Sequence, residues 1–345
     1  MILTVLGFKT RRFFTRFATF GVVIGITCTV IMLYFRIEKS GFAIQSLSKD
    51  SLIFHIKDQL ESKFNGSDKY ALDYHKTVMD YSLTPQPCGI VGTVPFLVIL
   101  VISKPGGFDR RQVIRKTWGS LANPICGVRR YFLLGRILDK EISSKLVVEA
   151  AMYGDIIQAN KYDDQYRSSS TKTLFGYQWV ATFCPQAVFT SRIDDDNWLN
   201  LPKFYEVLKK SEFTEAVYGS PIGAGSTVVR RPDTKYGIPR EEYGPDFFPE
   251  YSSGMFFTVP TKTIKRILYF SKKIPTVFLD DVYIAGLLAK AANLSRVSLP
   301  EMAWSPGTKE TECEKRDRIC IHYVSVSQFY ELWNDQCHTY NELCV

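Results

Sequence analysis

The sequence predicts an α/β domain built on a parallel sheet and carried behind a single N-terminal membrane-spanning helix. Three observations predict it: one uncharged apolar run near the N-terminus, a later succession of β-branched runs alternating with helical segments, and an acidic triplet where one of those runs ends. Composition agrees. A chain of 345 residues with 46% hydrophobic and 23% charged residues has the profile of a globular protein and excludes wholesale disorder. The formal net charge is +8, but Lys and Arg are interleaved with acids rather than gathered in a stripe. That pattern argues against a nucleic-acid partner and suits an anionic ligand, a membrane surface or a solvated basic face.

The N-terminal run extends from Phe17 to Phe35, about enough to cross a hydrocarbon core of roughly 30 Å as a helix. Lys9, Arg11, Arg12 and Arg16 precede it, so residues 1–16 are expected in the cytoplasm and everything after Arg36 in the lumen. A cleaved signal peptide is the competing reading. The run is longer than such a peptide needs, and Tyr34, Phe35 and Arg36 stand where small residues would invite cleavage. An uncleaved signal anchor at 17–35 is therefore expected. The triplets at Asn65 and Asn293 are N-glycosylation acceptors in such a compartment. Seven cysteines follow the span, Cys88, Cys126, Cys184, Cys313, Cys320, Cys337 and Cys344, and an oxidising lumen favours disulfides among them. Their odd number leaves one thiol free or paired with another chain. A zinc site at the C-terminal cysteines with His322 and His338 is the alternative, disfavoured by the absence of a close Cys-x-x-Cys pair.

Residues 36–94 are polar and read as a stem, although the helical spacing of Leu52, Ile53, Ile56 and Leu60 also suits a small subdomain. No internal repeat or low-complexity tract is present. From residue 95 to 345 the character is that of a folded domain. Phe96 to Ile102 is a continuous apolar run, as expected of a strand covered on both faces. A Lys-Pro-Gly-Gly turn follows, then a helix bearing Arg110, Arg111 and Arg115. Further strands are expected at Tyr131 to Leu134, Asp155 to Gln158 and Ala187 to Ile193, with helices at Ile142 to Tyr153 and Thr173 to Phe183 between them.

The last of these strands runs into Asp194, Asp195 and Asp196, and ligands of open α/β sheets sit beyond the carboxyl ends of strands. Adjacent carboxylates repel one another, and a hard divalent cation such as Mn²⁺ or Mg²⁺ relieves that cost while bridging to phosphate oxygens. The bland alternative is a solvated acidic turn capping the next helix.

Ordered motifs extend this picture. Arg110 to Gly119 reads RRQVIRKTWG; Asp164-Gln165-Tyr166 precedes Lys172-Thr173; the Asp194 triplet comes next, then Pro249 to Gly254 (PEYSSG), and Asp280-Asp281-Val282-Tyr283 with Gly286. From about Phe96 to Trp333 the chain resembles the β1,3-galactosyltransferase-type glycosyltransferases, a family that includes β1,3-N-acetylglucosaminyltransferases and, more distantly, the fringe enzymes. The resemblance implies a GT-A fold, a nucleotide-binding half before an acceptor-binding half. It implies a Golgi type II membrane enzyme that moves galactose or N-acetylhexosamine with inversion from a UDP-sugar to the 3-hydroxyl of a glycan acceptor on glycoproteins or glycolipids. Asp194 and Asp196, with His322, would hold the metal, and Asp195 would face the donor. Arg111, Arg115 and Lys172 are candidates for donor contact, with an internal ion pair to Asp164 as the other role of the first-helix arginines. Asp281 would be the general base and Tyr251 and Gly254 part of the acceptor-side loop; Asp280 or Asp281 would otherwise cap the helix that follows. A homodimer is compatible with all of this. The family's Asn-Leu-Thr is Ser168-Ser169-Ser170 here, a frequent Cys is Ser252, and a Glu is Asp280. A catalytically silent glycan-binding or chaperone-like relative is the alternative function.

Overall fold

The computed structural model describes residues 80–88, 94–122, 126–210, 214–303, 314–315 and 317–334. The expected membrane span, the cytoplasmic tail, Asn65 and most of the stem lie outside them. Among the described residues no helix is long and apolar enough to cross a membrane.

The elements in chain order are β1 (Tyr81–Leu83), β2 (Leu97–Ile102), α1 (Phe108–Lys116), β3 (Val128–Arg136), α2 (Lys140–Tyr153), β4 (Ile156–Asp163), α3 (Ser169–Phe183) and β5 (Phe189–Asp194). Then come β6 (Trp198–Leu199), α4 (Leu201–Lys210), β7 (Ala216–Ile222), β8 (Tyr251–Pro260) and α5 (Ile264–Ser271). A π-helical segment, α6 (Asp281–Leu288), precedes β9 (Ser295–Ser298), β10 (Met302–Ala303), β11 (Cys320–Ile321) and α7 (Val326–Asn334). Strands β1-β4-β3-β2-β5-β8-β7-β9 form one sheet, in which β4, β3, β2 and β5 are mutually parallel. Strand β8 turns antiparallel to both β5 and β7. A small second sheet is ordered β10-β11-β6.

The apolar run of β2 behaves as its composition requires. Val98 and Leu100 join a core on one face with Tyr177, Trp179 and Ile267, while Leu97, Ile99 and Val101 join one on the other with Ile114, Phe204 and Phe329. Helices thus cover both faces, so alternation along the strand buries Leu97 to Val101. Burial of each such side chain stabilises the fold by roughly 1.5–3 kcal/mol. Local chemistry sets the helix ends. The Asp139 carboxylate accepts from the backbone amides of Glu141 and Ile142 at 2.8 and 3.0 Å to start α2, and Gly154 stops it with a left-handed φ of 61°.

One sequence reading changes. Strand β1 pairs antiparallel with β4, and Cys88 is bridged to Cys184 after α3, so residues 80–88 belong to the folded domain rather than to the stem. A three-residue edge strand gives too short a pattern to stand out from a polar stem. Cys126 is also disulfide-bonded, and Cys320 is a buried free thiol.

Candidate active site

The parallel strands bring their carboxyl ends to one edge of the sheet. Ile102 at the end of β2 lies opposite Asp194 at the end of β5, and the Asp195 amide donates to the Ile102 carbonyl at 3.2 Å. Just past β2, the Ser103 hydroxyl donates to Asp195 Oδ2 at 2.7 Å. The acidic triplet is therefore mounted on the sheet edge, with one carboxylate already held by the neighbouring strand.

His322 reaches the triplet through the small sheet. Antiparallel β6 and β11 set Ile321 opposite Trp198, so the next residue, His322, meets Asn197, whose Oδ1 bonds His322 Nδ1. His322 Nδ1 is 3.4 Å from Asp196 Oδ1, and Asp194, Asp196 and His322 each offer a ligand atom within 4.8 Å of the others. Desolvation, reinforced by the other carboxylates and opposed by Arg192, pushes the Asp194 carboxyl up to about 8. Desolvation also raises Asp195, and it lowers His322. A cluster in which burial disfavours negative charge has the electrostatics of a cation site, and two carboxylates with an imidazole suit Mn²⁺ or Mg²⁺.

Arg192, two residues before Asp194 on β5, ties this cluster to the start of α6. Its side chain is 4% exposed, its Nη2 lies 2.9 Å from Asp194 Oδ1 and its Nε donates to Asp280 Oδ2 at 2.7 Å. It also donates to the Gly254 carbonyl. Asp280 accepts from the Thr173 hydroxyl at 2.8 Å as well, and makes no helix-capping bond. Asp281 instead accepts from the following Val282 amide at 2.8 Å and stands against Gly254, where an added Cβ would come within 3.1 Å of its Oδ2. Glycine at 254 keeps that carboxylate in place. Desolvation first, then the neighbouring Asp280 charge, push the Asp281 carboxyl up to about 6. Tyr251 is half-buried beside the same helix, its Cβ 3.1 Å from the position a Gly286 Cβ would occupy.

The three basic candidates for donor contact lie elsewhere. Arg111 is fully buried, and its five N–H groups are spent on Glu149, Ser103, Lys104 and Pro105. Arg115 pairs with Glu149 at 2.6 Å and Asp155 at 2.8 Å and stacks on the rings of Phe132 and Tyr153. Lys172 holds Asp164 and the Ser103 carbonyl, each at 2.8 Å. The arginines do form internal ion pairs, though to Glu149 and Asp155 rather than to Asp164, which belongs to Lys172. Lys172 therefore reaches the site through Ser103 and through its charge, which lowers the Asp195 carboxyl. Arg110 is the basic residue of α1 that faces the triplet, lowering the Asp195 carboxyl while its guanidinium bonds the Val324 carbonyl. Asn293 is exposed on the turn after α6 with a left-handed φ of 54°.

Arg192, Ser103 and Asn197 carry this geometry and were not singled out from the sequence. For Arg192 a signal existed: a cation two residues before three acids in an expected strand. Ser103 and Asn197 offered none.

A family model described as Galactosyltransferase matches residues 109–300. The chain is 28% identical over 259 residues to human beta-1,3-galactosyltransferase 5, covering 73% of this chain and 82% of that protein. It is 30% identical over 249 residues to mouse beta-1,3-galactosyltransferase 1, covering 70% and 74% respectively. A solved glycosyltransferase involved in the glycosylation of the major capsid of PBCV-1 aligns at 12% identity with a TM-score of 0.39, covering 69% of this chain and 98% of that one.

Proposed function

Since the chain belongs to the galactosyltransferase family and is a glycosyltransferase, we propose that it is a metal-dependent, inverting β1,3-hexosyltransferase with a GT-A fold, held in the Golgi membrane by residues 17–35. Its donor is a UDP-sugar carrying galactose or N-acetylhexosamine, and its acceptor is the 3-hydroxyl of a glycan on a glycoprotein or glycolipid. The supporting observation is that buried Arg192 ties Asp194 of the Asp194, Asp196 and His322 cluster to Asp280, the residue next to Asp281.

Held by Asp194, Asp196 and His322, Mn²⁺ or Mg²⁺ supplies Lewis-acid stabilisation of the departing diphosphate. Asp281 takes the proton of the acceptor hydroxyl as that oxygen bonds the anomeric carbon and the bond to UDP breaks on the opposite face. Arg192 confines Asp280 to a structural ion pair and leaves the next carboxylate for catalysis. Ser103 fixes Asp195 on the donor side.

The test replaces Asp194 and Asp196 with Asn in the full chain and follows UDP release from several UDP-sugars with Mn²⁺. Loss of metal-dependent turnover is expected, at least about a hundredfold. Turnover equal to wild type overturns the proposal.

A further inference from the structure

The long connection between β7 and β8 carries Lys235 and Tyr236 to the open side of the site, and it is fastened where it passes α6. The Glu242 carboxylate accepts from the Phe278 amide at 2.8 Å, two residues before Asp280, while Arg167 donates to the Gly237 carbonyl and stacks on the Phe278 ring at 4.0 Å. Lys235 is exposed, yet its ammonium is localised over two rings, 4.4 Å from the centre of Tyr166 and 5.5 Å from that of Tyr236. No carboxylate pairs with it among the described residues.

The two tyrosines lead in opposite directions. Tyr236 neighbours Tyr323 and raises its hydroxyl, and the Tyr323 ring lies 3.9 Å from that of His322. Tyr166 packs edge-on against Phe278 at 5.9 Å, and its hydroxyl lies within the fields of Asp281, Asp280 and Asp194. Lys235 thus stands between the metal ligands and the general-base side, its charge held by aromatic faces instead of by an acid. A cation so placed is available to an incoming anion, since cation–π contacts at exposed sites are worth only about 0.5–1 kcal/mol and yield to a charge-assisted hydrogen bond.

We propose that Lys235 is the protein's own cation for the donor diphosphate, closing over it opposite Asp194, Asp196 and His322 from the aromatic roof of Tyr166 and Tyr236. This rests on the nucleotide-sugar reading of the site. It names a binding residue that neither the sequence motifs nor the acidic cluster disclose.

The experiment titrates the detergent-solubilised full chain with UDP and with uridine in the presence of Mn²⁺, comparing wild type, Lys235→Ala and Lys235→Arg by calorimetry and competition. Lys235→Ala is expected to weaken UDP about tenfold or more while leaving uridine unchanged, and Lys235→Arg to restore most of the loss. Unchanged UDP affinity in Lys235→Ala, or an equal loss for uridine, overturns the assignment. A variant that keeps its UDP affinity and loses only acceptor affinity also overturns it and assigns the lysine to an acidic acceptor sugar. Wild type that binds no UDP overturns the nucleotide reading and this assignment with it, whereas a binding wild type with an indifferent variant overturns the lysine alone.

Discussion

Asp280 and Asp281 are neighbours in sequence and differ in every contact. Asp280 is spent on Thr173 and Arg192, whereas Asp281 accepts from the Val282 amide and stands against the face of Gly254. At neutral pH folding must therefore ionise Asp281 where burial disfavours the charge. Asp281→Asn is expected to lower kcat by about 10²–10⁴ while raising the free energy of unfolding by on the order of 1 kcal/mol, seen as a higher midpoint. A thermal melt and initial rates on the same preparation check both signs. Because the base works deprotonated, wild-type activity is expected to rise with pH through about 6. The stability contributed by this raised carboxyl changes in the opposite sense, being complete at low pH and lost as pH rises through the same value. Arg111 makes the contrasting case. With all its donors committed internally, Arg111→Met is expected to cost about 1–3 kcal/mol of stability by leaving one oxygen of buried Glu149 and the Lys104 and Pro105 carbonyls without their donor, while Arg115 still neutralises the Glu149 charge. The KM for UDP-sugar in the fraction that remains folded is expected to stay within about twofold, as steady-state kinetics would show.

Among the elements, β5 does the most to assemble the site. The strand was legible at Ala187 to Ile193, ending in three acids, but its one buried cation decides what the strand is for. Arg192 is bonded to Asp194, Asp280 and Gly254, which belong to β5, the start of α6 and β8. Arg192→Lys keeps the charge and loses the planar fork that serves three acceptors at once. It is expected to lower kcat about tenfold or more with little change in acceptor KM, because Asp281 would be displaced rather than removed. A double-mutant cycle with Asp281→Asn measures this, and additive losses would refute the link. The metal ligands depend on elements too. His322 arrives through the two-residue pairing of β11 with β6, and a strand of that length shows no periodicity for a reader of sequence to find. The resemblance to a family named the histidine; the register with Trp198 supplies the reason it arrives.

At the scale of the whole molecule, the bridge from Cys88 to Cys184 closes a separation of 96 residues around β2, β3 and β4 and their helices. Cross-linking so long a loop restricts the unfolded chain by about 4–5 kcal/mol. Cys88→Ser with Cys184→Ser is expected to lower the denaturant midpoint accordingly while leaving UDP affinity intact, since neither sulfur approaches the sheet edge. Chemical denaturation with and without reductant checks it. Sequence by itself determined the α/β class, the succession of the central strands along the chain and the position of the acidic triplet, because strand patterning is local, whereas their order in the sheet came from the structure. Sequence also located the two helices between the central strands and where each stops, at Tyr153 and Phe183, while the structure starts them earlier, at Lys140 and Ser169. Only the tertiary structure decided which arginines are ligands and which are struts. A charged residue's role depends on the partners that other segments bring to it, and Glu149, Asp155 and Asp280 come from parts of the chain that no spacing rule connects to Arg111, Arg115 or Arg192.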